Sequence, residues 1–573
     1  MNKKEEKPTS KTTKKLGSTG DTNQCIAEEE KDIWHFFRNN FSDYSDQLLY
    51  DSRGPWPSPS PGRPLSEAAE VALMPKEESD DWTRNVRPTY LKILFLKWPI
   101  GLWYAYVTHR SGYVSYEGNH FEQFISQKMY SKFLCPLDEG DKKIFSIHME
   151  QDKEYIKMDF SSMEYTIKKN YLGVYTCPSI TLFEKIKTDD QRIFKHRPIC
   201  IYLNDSINEN KTTLLSEKDD DRWELAKYYV VQGAVHRVNL TEHGRLHFPF
   251  DAVNAITKSI LPMRHPLFKL LIPFLRLSLP VNNSVLESNY SMLSRANWVV
   301  YSPFCAPGKN IRELIKDGYV GRKNKPYAFP RYIFPAGKRW QKWKKKYYLN
   351  IKDSKPLFPE TSFGVFLSSY YDIFYNFVDQ FLQLTMVKEY HSDNDEAGKR
   401  NWELIALWAE CISEWVPGFP DRLELLDEKN PAKKVVPNTK LLTQIITLIM
   451  WNLSIAHAAD HDGFGHAGPT RNVFRIRIPP PFEDNPVPKD YRRKLVNRWD
   501  IFQSWLTHEM FYKPHNVTYL KDVQFDFDFE YKKKLDALAD QFRQDLKNCD
   551  KKLYQQYGDQ LTRLDSITPS IQY

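Results

Sequence analysis

Residues 441–466, LLTQIITLIMWNLSIAHAADHDGFGH, decide how this sequence is interpreted. The first fifteen, 441–455, are almost all apolar, and a helix that is apolar on every side belongs inside a large protein. The stretch is shorter than the roughly 20 residues that a membrane span needs. It runs into His457 and His461, which lie four positions apart and project from one helix face. Because buried imidazoles are costly unless something satisfies them, the pair indicates either core histidines or a metal site.

Length and composition place the chain among large globular proteins. Its 573 residues allow two to four domains, and an aromatic content of 14% excludes a disordered composition for the whole chain. The net charge is +8, from 81 basic and 73 acidic residues. The first sixteen residues contain six Lys and two Glu and so carry half of this excess. The body is therefore close to neutral, which argues against bulk nucleic-acid binding.

Cysteine usage and the apolar stretches predict a cytoplasmic protein. The seven cysteines are odd in number and never form a Cys-x2-Cys pair, which fits a reducing compartment and excludes a cysteine zinc site by spacing. The N-terminus has no apolar region of the kind that secretory signals contain. The apolar stretches 91–106 and 267–281 are each interrupted by two basic residues, so neither is predicted to span a membrane.

The pattern along the chain predicts three parts. Residues 1–85 are a flexible, polar and Pro-rich tail, residues 86–215 a mixed α/β N-terminal part, and residues 216–573 a helical domain. Within the second part, KIFSIHMEQ (143–151) and YIKMDFSS (155–162) alternate apolar and polar residues. Such alternation predicts a small antiparallel hairpin.

A second histidine pair lies on another predicted helix. Residues 222–256 place apolar side chains at three- and four-residue spacing, and His243 and His247 again share one face. One pair alone favours ordinary core or surface histidines, whereas two pairs on apolar helices make a metal site equally plausible. Two such helices side by side would place four imidazoles around one point. Imidazoles with oxygen donors suit iron, manganese, zinc or copper better than calcium or magnesium.

The stretch that follows, HPLFKLLIPFLRLSLPVNN (265–283), carries a specific resemblance. It resembles the HPxxKLLxPHxRxTxxIN signature of the lipoxygenases, and WELAK (223–227) resembles the WxLAK start of the preceding helix in that family. The family spacing places the second iron ligand at His247 and the first at His243. The family normally has four residues between these ligands, whereas this chain has three, and Glu242 is the alternative first ligand. Three intervening residues bring both rings to one ion on a regular α-helix, without a bulge.

Later segments continue the resemblance to lipoxygenases. Similar segments occur at 303–322, 364–382, 392–412, 450–481 and 540–573. By position, His457 is the third ligand, and His461 occupies a place where plant members have Asn and many animal members have His. The last residue of the family, Ile or sometimes Val, binds iron through its own carboxylate. The resemblance thus implies a metal site made of His243, His247, His457, His461 and the carboxylate of Tyr573.

The implied fold is mainly α, a lipoxygenase-type helical catalytic domain around two long core helices, with a small β-containing N-terminal part. The implied function is a non-haem iron dioxygenase, with manganese as the alternative metal. Such an enzyme adds dioxygen to polyunsaturated fatty acids and gives lipid hydroperoxides. Two alternatives stay open. One is a lipoxygenase-like metalloenzyme acting on a different substrate in secondary metabolism. The other is a catalytically silent relative that binds a lipid or a partner.

Two further features have more than one interpretation. KRWQKWKKKYYLNIK (338–352) interleaves basic and aromatic residues. An exposed loop is the favoured interpretation, peripheral membrane association the second, and nucleic-acid binding the last. Asp460 and Asp462 flank His461, and either carboxylate can bind the metal or orient a ligating imidazole. The alternative is a solvated charge pair at the end of a helix. His466 is expected to lie outside the set of ligands.

Overall fold

The computed structural model describes residues 76–111, 116, 120–161, 163, 173–190, 192–205, 210–281, 304, 358–387, 396–415, 419–422, 425, 438–513, 515, 517–527 and 531–572. The α-helices in these residues are α1 (Lys76–Asp81), α2 (Arg87–Leu96), α3 (Trp98–Ser111), α4 (His120–Glu122), α5 (Glu139–Phe145), α6 (Asp221–His236), α7 (His243–Ile260), α8 (Pro266–Leu275), α9 (Ser362–Leu382), α10 (Glu396–Trp415), α11 (Thr439–Trp451), α12 (His457–Arg471), α13 (Tyr491–Lys494), α14 (Arg498–Thr507) and α15 (Lys532–Tyr557). Wider π-helical turns occur at Trp82–Val86, Gln123–Gln127, Arg237–Glu242, Gln383–Val387, Asn452–Ala456 and His508–Tyr512. The described part of the chain is mainly helical, as the sequence predicts.

Five strands form one antiparallel meander in the N-terminal part. They are β1 (Leu134–Cys135), β2 (Tyr155–Asp159), β3 (Ser179–Lys187), β4 (Phe194–Asp205) and β5 (Lys211–Ser216), paired in sequence order. One face, with Leu182 and Cys200, packs on Phe145 of α5. The other face, with Phe183 and Ile201, joins the main core beside α6. The sheet is therefore covered by helices on both faces.

One half of the predicted hairpin is wrong. YIKMD is β2, but residues 143–148 of the preceding stretch are helical, as the end of α5 followed by a 3-10 turn. The reason is a capping box, in which Asp138 and Asp141 each accept a hydrogen bond from the other's backbone N–H. This cap stabilises a helix where the alternating pattern alone indicates a strand. The predicted flexible tail, 1–85, lies mostly outside the described residues, which begin at 76. The basic-aromatic segment 338–352 lies wholly outside them.

The first histidine helix, which we define as Asp221–Ile260, runs without interruption through α6, one π-helical segment and α7. Nearly every side chain from Trp223 to His236 is buried, since this helix lies between the sheet and the other helices. Trp408 of α10 donates a hydrogen bond to Thr257 on it, at 2.9 Å. Asn254 donates to the carbonyl of Leu275 at 2.7 Å, which fixes α8 beside it.

The second histidine helix, defined as Thr439–Arg471, has the same organisation. Asn438 caps its start by accepting a hydrogen bond from the backbone N–H of Leu441 at 3.1 Å. Every residue from Leu441 to His461 is buried, so the all-round apolar pattern has the predicted meaning. In the described residues, Thr439–Gly463 is the one helical stretch long and apolar enough to cross a membrane, and its most apolar window is entirely buried within the protein.

A close approach at the start of α9 gives a stability test. The Cβ of an alanine at Gly364 would lie 1.7 Å from the backbone oxygen of Pro359, and backbone cannot move aside as a side chain can. We expect Gly364→Ala to lower the free energy of unfolding by about 1–3 kcal/mol, measured by urea denaturation. The matched control is Gly140→Ala in α5, where the nearest atom is a side-chain oxygen at 3.1 Å. Equal effects of the two substitutions would contradict this packing.

Candidate metal centre

Four imidazoles from the two histidine helices converge on one point. The Nε2 atom of His247 lies 2.8 Å from that of His243 and 3.0 Å from that of His457. The Nε2 atom of His461 lies 3.0 Å from that of His243. One ligand atom from each ring lies within 4.8 Å of all the others. The ring nitrogens of the pair on one histidine helix therefore face the ring nitrogens of the pair on the other histidine helix.

The donor set fits a shared cation. Nitrogen lone pairs that point at one another repel unless a proton or a metal ion lies between them. Ligands about 2.1 Å from an ion lie about 3.0 Å apart at right angles and about 3.4 Å apart in a tetrahedron. The observed contacts of 2.8 to 3.0 Å are short enough for the four rings to share one ion. In the described residues, this is the one group of histidine, cysteine or acidic side chains close enough to hold a metal.

Burial keeps the imidazoles in the form that binds metals. It lowers the pKa of His243 and of His457 well below the ordinary value, and the neighbouring histidines lower both further. Burial and the nearby His247 lower the pKa of His461 to about 3. At neutral pH these rings are uncharged, so each has a nitrogen lone pair available for coordination.

A buried carboxylate lies behind one of the imidazoles. The Oδ2 atom of Asp460 is 3.5 Å from Nδ1 of His243, and its other oxygen accepts a hydrogen bond from Lys132. Both side chains of this ion pair are buried. Burial raises the pKa of Asp460 to about 6, although Lys132 lowers it. A carboxylate behind a metal-binding histidine orients the ring and makes its other nitrogen a better donor.

Each histidine pair is preceded by a π-helical segment that carries an asparagine. Asn239 donates to the carbonyl of Val235 at 2.7 Å, and Asn452 donates to that of Leu448 at 2.8 Å. These amide groups supply hydrogen bonds to carbonyls where the wider turn disturbs the regular helical pattern. The hydroxyl of Tyr512 also donates to Asn239, and the Tyr512 ring lies 5.5 Å from that of His461. The segment before one pair is thereby connected to a histidine of the other.

The structure also bears on the alternative ligands. Glu242 is not in the cluster, because its carboxylate accepts a hydrogen bond from Arg237 at 3.4 Å, whereas His243 faces the other three rings. The side chain of His466 lies outside the described part, as does the whole of Tyr573. The chain that leads to Tyr573 is buried at Ile571 and Gln572. The carboxylate of Tyr573 thus stays a prediction.

Sequence reasoning missed Lys132 and the two asparagines. Lys132 lies far from His457 in the sequence, so no local spacing connects them. The asparagines do leave a signal, since Asn239 and Asn452 are amides four and five residues before a histidine pair in otherwise apolar helices. A buried amide at that position indicates a backbone irregularity.

Comparisons with known proteins support the fold. No protein-family model and no curated protein matches the sequence. Among solved structures, a coral 8R-lipoxygenase matches with a TM-score of 0.61 at 13% identity, over 96% of this chain and 82% of that one. A calcium-dependent 11R-lipoxygenase matches with a TM-score of 0.61 at 14% identity, over 96% and 81%. A LOX solved anaerobically in complex with arachidonate matches with a TM-score of 0.61 at 13% identity, over 96% and 82%. The chain has the lipoxygenase fold, which confirms the expectation drawn from HPLFKLL.

Proposed function

We propose that this protein is a non-haem iron dioxygenase that adds dioxygen to polyunsaturated fatty acids. The observation that carries the proposal is the convergence of four imidazoles on one point inside a lipoxygenase fold. A set of histidine donors suits iron, manganese, zinc or copper, and the lipoxygenase fold favours iron among these. We propose iron as the metal, with manganese as the alternative.

In this proposal the chain provides the ligands and their orientation. His243, His247, His457 and His461 hold the metal, and the carboxylate of Tyr573 is the fifth ligand that the resemblance implies. A bound redox-active metal supplies the one-electron chemistry that dioxygen requires. The Oδ2 atom of Asp460 lies 3.5 Å from Nδ1 of His243, where the carboxylate would orient the ring once the metal is bound. The apolar wall of the second histidine helix excludes water from the rings on that side.

The substrate class comes from chemistry and from a structural neighbour. One similar structure is a complex with arachidonate, a polyunsaturated fatty acid. We extend that class of substrate to this chain, together with dioxygen and a role in lipid metabolism. A cytoplasmic location is part of the proposal, and the described cysteines are all free thiols, which suits a reducing compartment.

The test combines metal analysis with oxygen consumption. Purified protein reconstituted with iron, and separately with manganese, is assayed with linoleate and with arachidonate. We expect close to one equivalent of metal, oxygen uptake, and the ultraviolet absorbance of a conjugated diene. His247→Ala protein, handled identically, is the matched control and should show neither uptake nor diene.

Each other outcome rejects a defined part of the proposal. Full metal content without oxygen uptake on either acid would reject the fatty-acid substrate and favour an enzyme with a different substrate. Metal content far below one equivalent with both ions would reject the dioxygenase. That result would favour a silent relative that binds a lipid or a partner.

A further inference from the structure

Helices α2 and α3 expose a concentrated apolar surface. Hydrogen bonds from the backbone N–H of Lys97 to the Ile93 oxygen (3.3 Å) and of Gly101 to the Lys97 oxygen (3.0 Å) connect the two helices. Of the twelve large hydrophobic side chains that are exposed in the described residues, seven lie on this pair of helices. They are Leu91, Phe95, Leu96, Ile100, Leu102, Trp103 and Val107. We call these seven residues the apolar face. Single exposed apolar side chains are normal in soluble proteins, but a contiguous group marks an interaction surface.

The inner side of the same helices is fixed against the protein. A Cβ at Gly101 would lie 2.5 Å from the ring of Trp505, so α3 already approaches α14 as closely as its backbone allows. The Trp98 ring packs against Phe502 with centroids 5.1 Å apart. Lys97 forms an ion pair with Glu509 at 2.8 Å. These contacts prevent the helices from rotating to bury the apolar face.

The charged residues within helices α2 and α3 are all basic. The sequence from 87 to 111, RPTYLKILFLKWPIGLWYAYVTHRS, contains four Lys or Arg residues and no Asp or Glu. Lys97 is used by Glu509, whereas Arg87, Lys92 and Arg110 are exposed beside the apolar side chains. A helix with exposed aromatic and aliphatic groups, basic neighbours and no carboxylates is typical of segments that lie in a membrane interface.

We propose that the apolar face docks on the surface of an anionic lipid bilayer. Phe95, Leu96 and Trp103 are exposed by 70%, 71% and 67%, and these side chains would enter the boundary between headgroups and acyl chains. Arg87, Lys92 and Arg110 would lie near the lipid phosphates. Contact with the same face of a second copy is less favourable, because it would bring the basic residues of two α2–α3 pairs together.

This surface lies over the elements that reach the histidines. Tyr90 of α2 packs against Phe511 with ring centroids 5.8 Å apart, and the next residue, Tyr512, faces His461. Docking through the apolar face would therefore bring the four-histidine cluster close to the bilayer, where long-chain lipids are held. The inference goes beyond the proposed function and does not depend on a bound metal.

Vesicle binding by the full chain tests the proposal. The protein is sedimented with phosphatidylcholine vesicles that contain phosphatidylserine, and with vesicles of phosphatidylcholine alone. We expect binding to the anionic vesicles that weakens as salt is added. The double substitution Phe95→Glu and Trp103→Glu should weaken this binding by about tenfold or more, because it places charge in the interface. The matched control is Ile147→Glu with Met263→Glu, exposed by 80% and 73% but outside the apolar face, and should leave binding unchanged.

A second pair of variants tests the charges. Lys92→Gln with Arg110→Gln should weaken binding to anionic vesicles by about tenfold and leave binding to phosphatidylcholine alone unchanged. Lys533→Gln with Lys547→Gln removes two exposed charges of α15 and is the control. Equal loss in the apolar-face and control variants would overturn the proposal. So would concentration-dependent dimers that the Phe95→Glu and Trp103→Glu protein no longer forms, without any vesicle binding. His247→Ala protein should bind vesicles normally, which separates this surface from the metal site.

Discussion

We expect that replacing His247 or His457 with alanine abolishes metal retention in the proposed site. Each ring contributes one of four converging Nε2 atoms, and these two atoms lie 3.0 Å apart across the two histidine helices. Four-ligand zinc sites bind with roughly 10–16 kcal/mol, so an even share for each ligand is about 3 kcal/mol, or more than a hundredfold in affinity. Elemental analysis after dialysis against a buffer of fixed free metal concentration measures the effect.

The control for this prediction is another buried histidine on the first histidine helix. The Nδ1 atom of His236 lies 2.9 Å from the carbonyl oxygen of Gln232, and its ring packs against Phe474, away from the cluster. His236→Gln should lower the free energy of unfolding, because it disturbs a buried contact, yet retain the metal. Normal metal content in both alanine variants would show that the four rings are not the ligands. Metal loss in His236→Gln alone would point to the same conclusion.

Helical spacing explains why so much of the site could be predicted from the sequence. Residues four apart share a helix face, so both histidine pairs are visible without knowing how the helices pack. The unbroken apolar run before His457 also predicts correctly that its helix is buried. Spacing alone does not show that the two histidine pairs face each other. That information came from HPLFKLL, whose resemblance to a known signature fixed the place of His247.

The parts that could not be predicted depend on contacts between distant segments. Lys132 reaches Asp460 across 328 positions, and Tyr512 reaches Asn239 across 273. No local pattern encodes such pairings. The predicted strand at 143–151 was wrong for a different reason, because the capping box of Asp138 and Asp141 outweighed an alternation of apolar and polar residues. Prediction from the sequence therefore failed for two reasons: contacts between distant segments leave no local pattern, and a local helix cap was overlooked.

The second large effect is expected at Asp460, which contributes both to the stability of the fold and to metal affinity. Asp460 forms a buried ion pair with Lys132 and faces Nδ1 of His243. Asp460→Ala leaves the ammonium of Lys132 buried without its carboxylate, which should lower the free energy of unfolding by about 3–5 kcal/mol. It also removes the group that orients His243, and metal affinity should fall by about 10- to 100-fold. Urea denaturation of the metal-free protein and metal titration measure the two effects.

A double substitution shows which effect belongs to which contact. Lys132→Met with Asp460→Leu replaces both charges by apolar groups of similar size, and removing a buried ion pair in this way is often neutral or stabilising. We therefore expect the metal-free double variant to recover the stability that Asp460→Ala loses, since no unpaired charge stays buried. Its metal affinity should remain as low as in Asp460→Ala, because His243 still lacks the carboxylate behind Nδ1. Recovery of both quantities would mean that Asp460 acts only on the stability of the fold. Recovery of neither would mean that the ion pair does not account for the loss.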